Sequence, residues 1–150
     1  MVYEEETNQS KHEVQEFMEQ YGTVAGEDAF MVVRKSLHGI EPSSFRQLAV
    51  LMEISADELA TLLGASERTF RNYVRHKKSL DPITSEHILK IASLYILGVE
   101  VFGNKVSFNA WLRKPSIAFD QLIPLELLQT PGGADLIKEE LVSISYGDLA

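Results

Sequence analysis

The chain has 150 residues, 45% of them hydrophobic and 24% charged, with a net charge of −8 and no cysteine. That composition is globular, its length suits one domain or two small ones, and it excludes disulfides and thiolate metal sites. No run approaches the roughly 18–20 apolar residues of a membrane helix. The acidic start, MVYEEETNQSKHE, lacks the basic end and apolar stretch of a signal peptide, so the sequence reads as cytoplasmic and without membrane contact.

In chain order, residues 1–10 are polar and aperiodic, the mark of a disordered tail. Helical spacing predicts a helix near His12 to Tyr21 and a second near Glu27 to Leu37 that buries Phe30, Val33 and Leu37. A third follows Glu41-Pro42, capped by Ser43 or Ser44 and running to about Glu53 with Phe45, Leu48, Ala49 and Met52 inward. Ser55 and Glu58 form a capping box ahead of a helix that stops at Gly64, and Ser66 caps the next, through about Arg75. Asp81-Pro82 reads as a break, after which a longer helix runs from about Ser85 to Val101. From Phe102 the texture is irregular: Ser107 caps a short helix, Pro124 starts another, and Ala134 to Ile144 forms the last, with Leu136, Ile137, Leu141 and Ile144 inward. No segment alternates as a strand, so the expected fold is all-α. The expected organisation is an acidic tail with helices at 1–39, a helix-turn-helix unit at 40–100 and a small helical module at 101–150.

Residues 55–75 carry the clearest functional signal. Two helices crossing steeply across a short turn need a small residue at the contact, a residue tolerant of positive φ in the turn, and a cap for the second helix. Ala60, Gly64 and Ser66 meet those demands, and Leu59, Leu63, Ala65, Phe70 and Tyr73 fall inward. The outer face of the second helix then holds Glu67, Arg68, Arg71, Asn72 and Arg75. Arginine pairs with guanine O6 and N7, and asparagine with adenine N6 and N7. Ser66, Thr69, Lys77 and Lys78 suit phosphate contacts at the helix start and after its end. Charge supports this reading: Gly64 to Leu80 holds five basic residues and one acid, a net +4, whereas the remainder carries 9 basic and 21 acidic residues, a net −12. A basic patch on an acidic body is a local nucleic-acid footprint. A single such unit reads one half-site, so a homodimer on operator DNA is expected.

The order of motifs resembles the Xre/MbcA/ParS-type antitoxins of bacterial toxin–antitoxin pairs over roughly residues 40–150. The matching pieces are Ile54 to Phe70, Leu80 and Glu86 to Ala92, then Val101-Phe-Gly, Ala110-Trp-Leu, Pro124-Leu-Glu-Leu-Leu, Gly132 or Gly133 before the last helix, and Ile144-Ser-Tyr-Gly. A departure lies at Phe119-Asp-Gln-Leu-Ile-Pro, where that family often has glycine-rich sequence. The resemblance implies a DNA-binding autorepressor with a C-terminal toxin-binding domain, partnered by a cognate RES-domain toxin that attacks NAD. It further implies that the tail, Tyr146, Gly147, Asp148, Leu149 and Ala150, enters the toxin's active-site cleft. Trp111, beside Leu112, Pro115 and Phe119, is the other candidate toxin contact; as a core residue it would instead be buried.

Catalytic chemistry has no foothold. His12, His38, His76 and His87 are scattered without metal spacing, no nucleophile motif is present, and Glu139 and Glu140, adjacent on a helix, diverge. The sequence is therefore read as a non-enzyme without cofactor or metal. Two other readings stay open: a one-component regulator with a C-terminal sensing module, and a protein inhibitor that does not bind DNA.

Overall fold

The structure, a computed structural model, describes residues 12, 16–21 and 29–147. The expected disordered start, the beginning of the second helix and Asp148 to Ala150 lie outside them. After the helical residues 16–21 come α1 (Ala29–His38), α2 (Ser43–Met52), α3 (Ala56–Leu62), α4 (Glu67–Arg75), α5 (Pro82–Phe102), α6 (Lys105–Leu112), a single 3-10 turn at Ile117–Phe119, α7 (Pro124–Leu127) and α8 (Pro131–Ser145). Among the described residues there is no strand, only one antiparallel bridge between Ser116 and Leu122.

Five helices start in the same way. A polar side chain just before the helix accepts a backbone N–H that the first turn leaves without an internal partner. Ser55 accepts from Glu58, Ser66 from Thr69, Asp81 from Thr84, Asn104 from Ser107 and Thr130 from Gly133. Three expectations are corrected here. Asp81-Pro82 is the start of α5 and not a break, because proline in the first helical position has no N–H to lose and its φ already suits a helix. Thr130-Pro131 starts α8 for the same reason, three residues before the expected Ala134. Asn104, not Ser107, caps α6; Ser107 supplies the N–H that Asn104 accepts at 2.8 Å.

The inward face of α1 is also corrected. Phe30, Val33 and Leu37 are 69%, 44% and 71% exposed, and the buried pair is Val32 and Ser36. Ser36 tolerates burial because its Oγ donates to the Val32 carbonyl at 2.7 Å, which leaves a small, satisfied surface where α1 lies on α5. In α8, Leu136 is likewise exposed, while Ile137 and Leu141 are buried as expected.

The spine of the molecule is α5, which buries Ile88, Leu89, Ile91, Ala92, Leu94 and Tyr95. On it pack α1, α2, α6 and, most extensively, α8. Gly103, at φ +85°, lets α6 turn back at 116° to α5. There Phe108 sits over Gly98, in space that a Cβ would occupy. One continuous core results, from Phe17 through Phe45, Phe70 and Tyr95 to Leu141. Among the described residues no single helix is long and apolar enough to cross a membrane.

Candidate nucleic-acid interface and toxin-binding module

The turn between α3 and α4 is a double-bonded helix stop. Ala65 N donates to the Ala60 carbonyl at 2.9 Å and Gly64 N to the Thr61 carbonyl at 3.0 Å, with Gly64 at φ +71°. A Cβ on Gly64 would meet nothing within 4 Å, so glycine is needed for its backbone angle and not for space. Ala60 is 1% exposed, as the crossing requires. At the start of α4 the Ser66 Oγ lies 3.3 Å from the Thr69 N and 3.1 Å from its Oγ1.

Two contacts set the pose of α4. Phe70 stacks on Phe45 of α2 with centroids 3.9 Å apart and planes 1° from parallel. Tyr73 OH donates to Asp81 Oδ1 at 3.3 Å, and the other Asp81 oxygen caps α5. Partial burial raises the Asp81 carboxyl, but hydrogen bonds from Thr84 and Tyr73 outweigh it and hold the group below its ordinary range. Asp81 is thus an anion that fixes both the end of α4 and the start of α5.

With its inner face held, α4 presents Arg68, Thr69, Arg71, Asn72 and Arg75 to solvent, with His76, Lys77 and Lys78 beyond its end, all exposed. They do not form one flat face. Glu67, Arg71 and Val74 turn toward α2 and line a groove of about 800 Å³ floored by Phe45, Ala49 and Phe70. On the opposite side Thr69, Asn72, Tyr73, His76 and Lys78 rim a shallow recess of about 220 Å³. Sequence reading missed Val74, which is 56% exposed between arginines. Its signal was its place three residues after Arg71, on a helix whose inner positions Phe70 and Tyr73 already fill. Lys77 holds a positive φ of 51° because it ends α4 in the same double-bonded stop, with Lys78 N donating to the Tyr73 carbonyl at 3.1 Å and Lys77 N to Val74 at 3.2 Å.

The module after α5 is built on an aromatic cluster. Trp111 is half-buried, with its ring centroid 5.6 Å from Phe102, 5.9 Å from Phe108 and 6.3 Å from Phe119. Its exposed part is therefore an edge of a core and not a free side chain. Between α6 and α7 the chain makes a small hairpin. Ser116 N donates to the Leu122 carbonyl at 3.0 Å, and Gln121 N to the Ser116 carbonyl at 2.8 Å. Asp120 and Gln121, in the segment that departs from the resemblance, take left-handed backbone at φ 54° and 67°. Tyr146, 82% exposed, and Gly147, at φ +86°, follow α8; Asp148, Leu149 and Ala150 lie outside the described residues.

The module is fastened to the helix-turn-helix. Arg113 pairs with Glu58 at 3.3 Å, so the Glu58 carboxylate of the expected capping box points across to α6. Asn109 accepts from Tyr95 OH at 3.0 Å, and its amide nitrogen lies 3.5 Å from Glu53. Burial pushes the Tyr95 phenol up to about 12, so it stays a hydrogen-bond donor.

Comparison with known proteins gives two family matches. Residues 31–93 match the model of the antitoxin Xre-like helix-turn-helix domain, and residues 97–147 match that of the antitoxin Xre/MbcA/ParS C-terminal toxin-binding domain. The chain is 26% identical over 98 residues to a Pseudomonas putida protein named Antitoxin Xre, a match that spans 65% of this chain and 58% of that protein. The two matches, which together take in residues 31–93 and 97–147, place this chain in the Xre/MbcA/ParS antitoxin family.

Proposed function

We propose that the chain is an antitoxin that neutralises a toxin encoded beside it and represses their shared operon. The carrying observation is that α4 leaves Arg68, Arg71, Asn72 and Arg75 all exposed while Phe70 locks the helix to the core. In this reading residues 40–100 bind operator DNA and residues 101–150 bind the toxin. Arg68, Arg71 and Asn72 read base edges, and Ser66, Thr69, Arg75, Lys77 and Lys78 hold phosphates. The toxin is of the RES type, which degrades NAD, and the antitoxin itself performs no catalysis. Trp111 and residues 146–150 contact the toxin, with the tail entering its active-site cleft; the exposure of Tyr146 supports its part in that contact. The protein acts in the cytoplasm.

A homodimer fits this role, because one helix-turn-helix covers one half-site and two copies span sites about 34–36 Å apart. Phe30, Val33 and Leu37, exposed at successive turns of one side of α1, offer a surface for the second copy.

The test uses the operon as it stands. The product of the adjoining reading frame should stop growth when expressed alone, deplete cellular NAD, and be rescued by this chain. Arg71→Ala should weaken operator binding by about 1–3 kcal/mol while growth rescue is kept. A variant with full operator affinity would remove Arg71 from the readers, and failure of the wild type to rescue growth would remove the antitoxin reading.

A further inference from the structure

We propose that the hairpin at residues 116–122 is the docking knob of the antitoxin, with Ile117 and Leu122 as apolar anchors that enter a pocket on the toxin. The inference rests on the toxin-binding reading above and names the surface that reading leaves open. Ile117 is 86% exposed, more than any other large apolar side chain among the described residues, and Leu122 is 51% exposed. Both lie inside the 97–147 match to a toxin-binding domain, so the occupant is the toxin.

Other apolar residues of the module are exposed too, Val106 and Tyr146 among them. What sets the hairpin apart is that it carries two exposed aliphatic side chains, where α6 carries Val106 alone, on a loop whose backbone is held. The Ser116–Leu122 bridge closes it, and Gln121 N donates back to the Ser116 carbonyl at 2.8 Å. Phe119 anchors it from beneath, edge-on to Trp111 at 6.3 Å. Pro115 precedes it, and Ile123 and Pro124 lead directly into α7. Two successive non-glycine residues, Asp120 and Gln121, are held in left-handed backbone, which persists only where surrounding contacts over-determine it. A fixed loop that presents an aliphatic side chain to water loses little freedom on binding, which is how a small contact becomes a strong one. The buried part of Trp111 then supports the knob, and its exposed edge lies beside it as the toxin contact proposed above.

The test is calorimetric titration of the full-length chain against the purified product of the adjoining reading frame. Ile117→Asp should weaken binding about 30-fold or more, as loss of a central anchor does, and Leu122→Asp somewhat less. Because both side chains face water, the melting temperature and operator affinity should not change. If Ile117→Asp does lower the melting temperature, Ile117→Ala carries the test without a new charge. Binding within about twofold of wild type for Ile117→Ala and Leu122→Asp overturns the knob while the toxin-binding reading stands. Failure of the wild type to bind overturns both.

Discussion

His87 is 5% exposed on α5, and its Nε2 donates to the Leu128 carbonyl at 2.6 Å. Burial lowers its pKa below the ordinary 6.5; the Leu128 carbonyl pulls it part of the way back, and Lys90 adds a smaller downward push. The sign of the consequence follows from proton uptake. Below pH 6.5 the unfolded chain protonates this imidazole and the folded chain resists, so the contribution is complete above 6.5 and is lost as the pH falls. The limiting slope for one group is about 1.4 kcal/mol per pH unit. His87→Gln, which keeps a donor and cannot titrate, should flatten urea-measured stability between about pH 6.5 and 5.5 relative to wild type. Parallel profiles for the two proteins would show that His87 does not set the acid limit. A scattered histidine without metal spacing gave no hint of this, since its partner is a backbone carbonyl 41 positions away.

Helix ends explain both what the sequence disclosed and what it hid. Ser55, Gly64 and Ser66 were legible because caps and stops act over three or four residues. Asp81-Pro82 and Thr130-Pro131 misled because the same proline that halts a helix from inside begins one at its first position. Helix faces were less legible than ends. On α1 the bulky stripe of Phe30, Val33 and Leu37 turned outward, because close packing on α5 took Val32 and a self-satisfied Ser36. In the candidate site, the arginines of α4 followed from spacing, whereas Val74 and the Ile117 hairpin depend on which neighbours cover a residue. Lys77 tests an end directly. A left-handed backbone costs a lysine about 1–2 kcal/mol, and glycine avoids that for an entropic cost of about 0.5–1 kcal/mol. Lys77→Gly should therefore leave stability unchanged or slightly raised while operator affinity drops and the salt slope falls by about 0.9. A salt slope equal to wild type would remove Lys77 from the phosphate contacts; a lower melting temperature would mean that its side chain packs.

At the scale of the molecule, the helix-turn-helix and the C-terminal module share one core. The C-terminal module contributes Phe108, Leu112, Leu125, Leu128, Ile137 and Leu141 to the cluster that also holds Phe45 of α2 and Phe70 of α4. Polar ties cross the same boundary: Lys90 to Asp135 at 2.9 Å, Lys138 to Ser93 at 2.8 Å and Arg113 to Glu58 at 3.3 Å. Lys90 and Arg113 are partly exposed, so these ties orient more than they stabilise. The apolar contacts decide. Removing α6 to α8 uncovers the face of α5 on which α8 packs, and each large side chain so exposed forfeits about 1.5–3 kcal/mol. Several such losses match the whole margin of a domain, about 5–15 kcal/mol. A chain cut after Gly103 should therefore lose its cooperative melt and its operator binding together, although every candidate DNA contact from Ser66 to Lys78 remains. Circular dichroism melting and an operator shift assay check this. A truncated chain that melts cooperatively within about 5 °C of full length and binds operator equally would show a self-sufficient helix-turn-helix, with α8 an attachment. If the cut does unfold the helix-turn-helix, a ligand of the C-terminal module must stabilise that half as well, because whatever binds only the folded chain raises the stability of all of it. A partner bound to the C-terminal module would then guard the fold of the helix-turn-helix through α5.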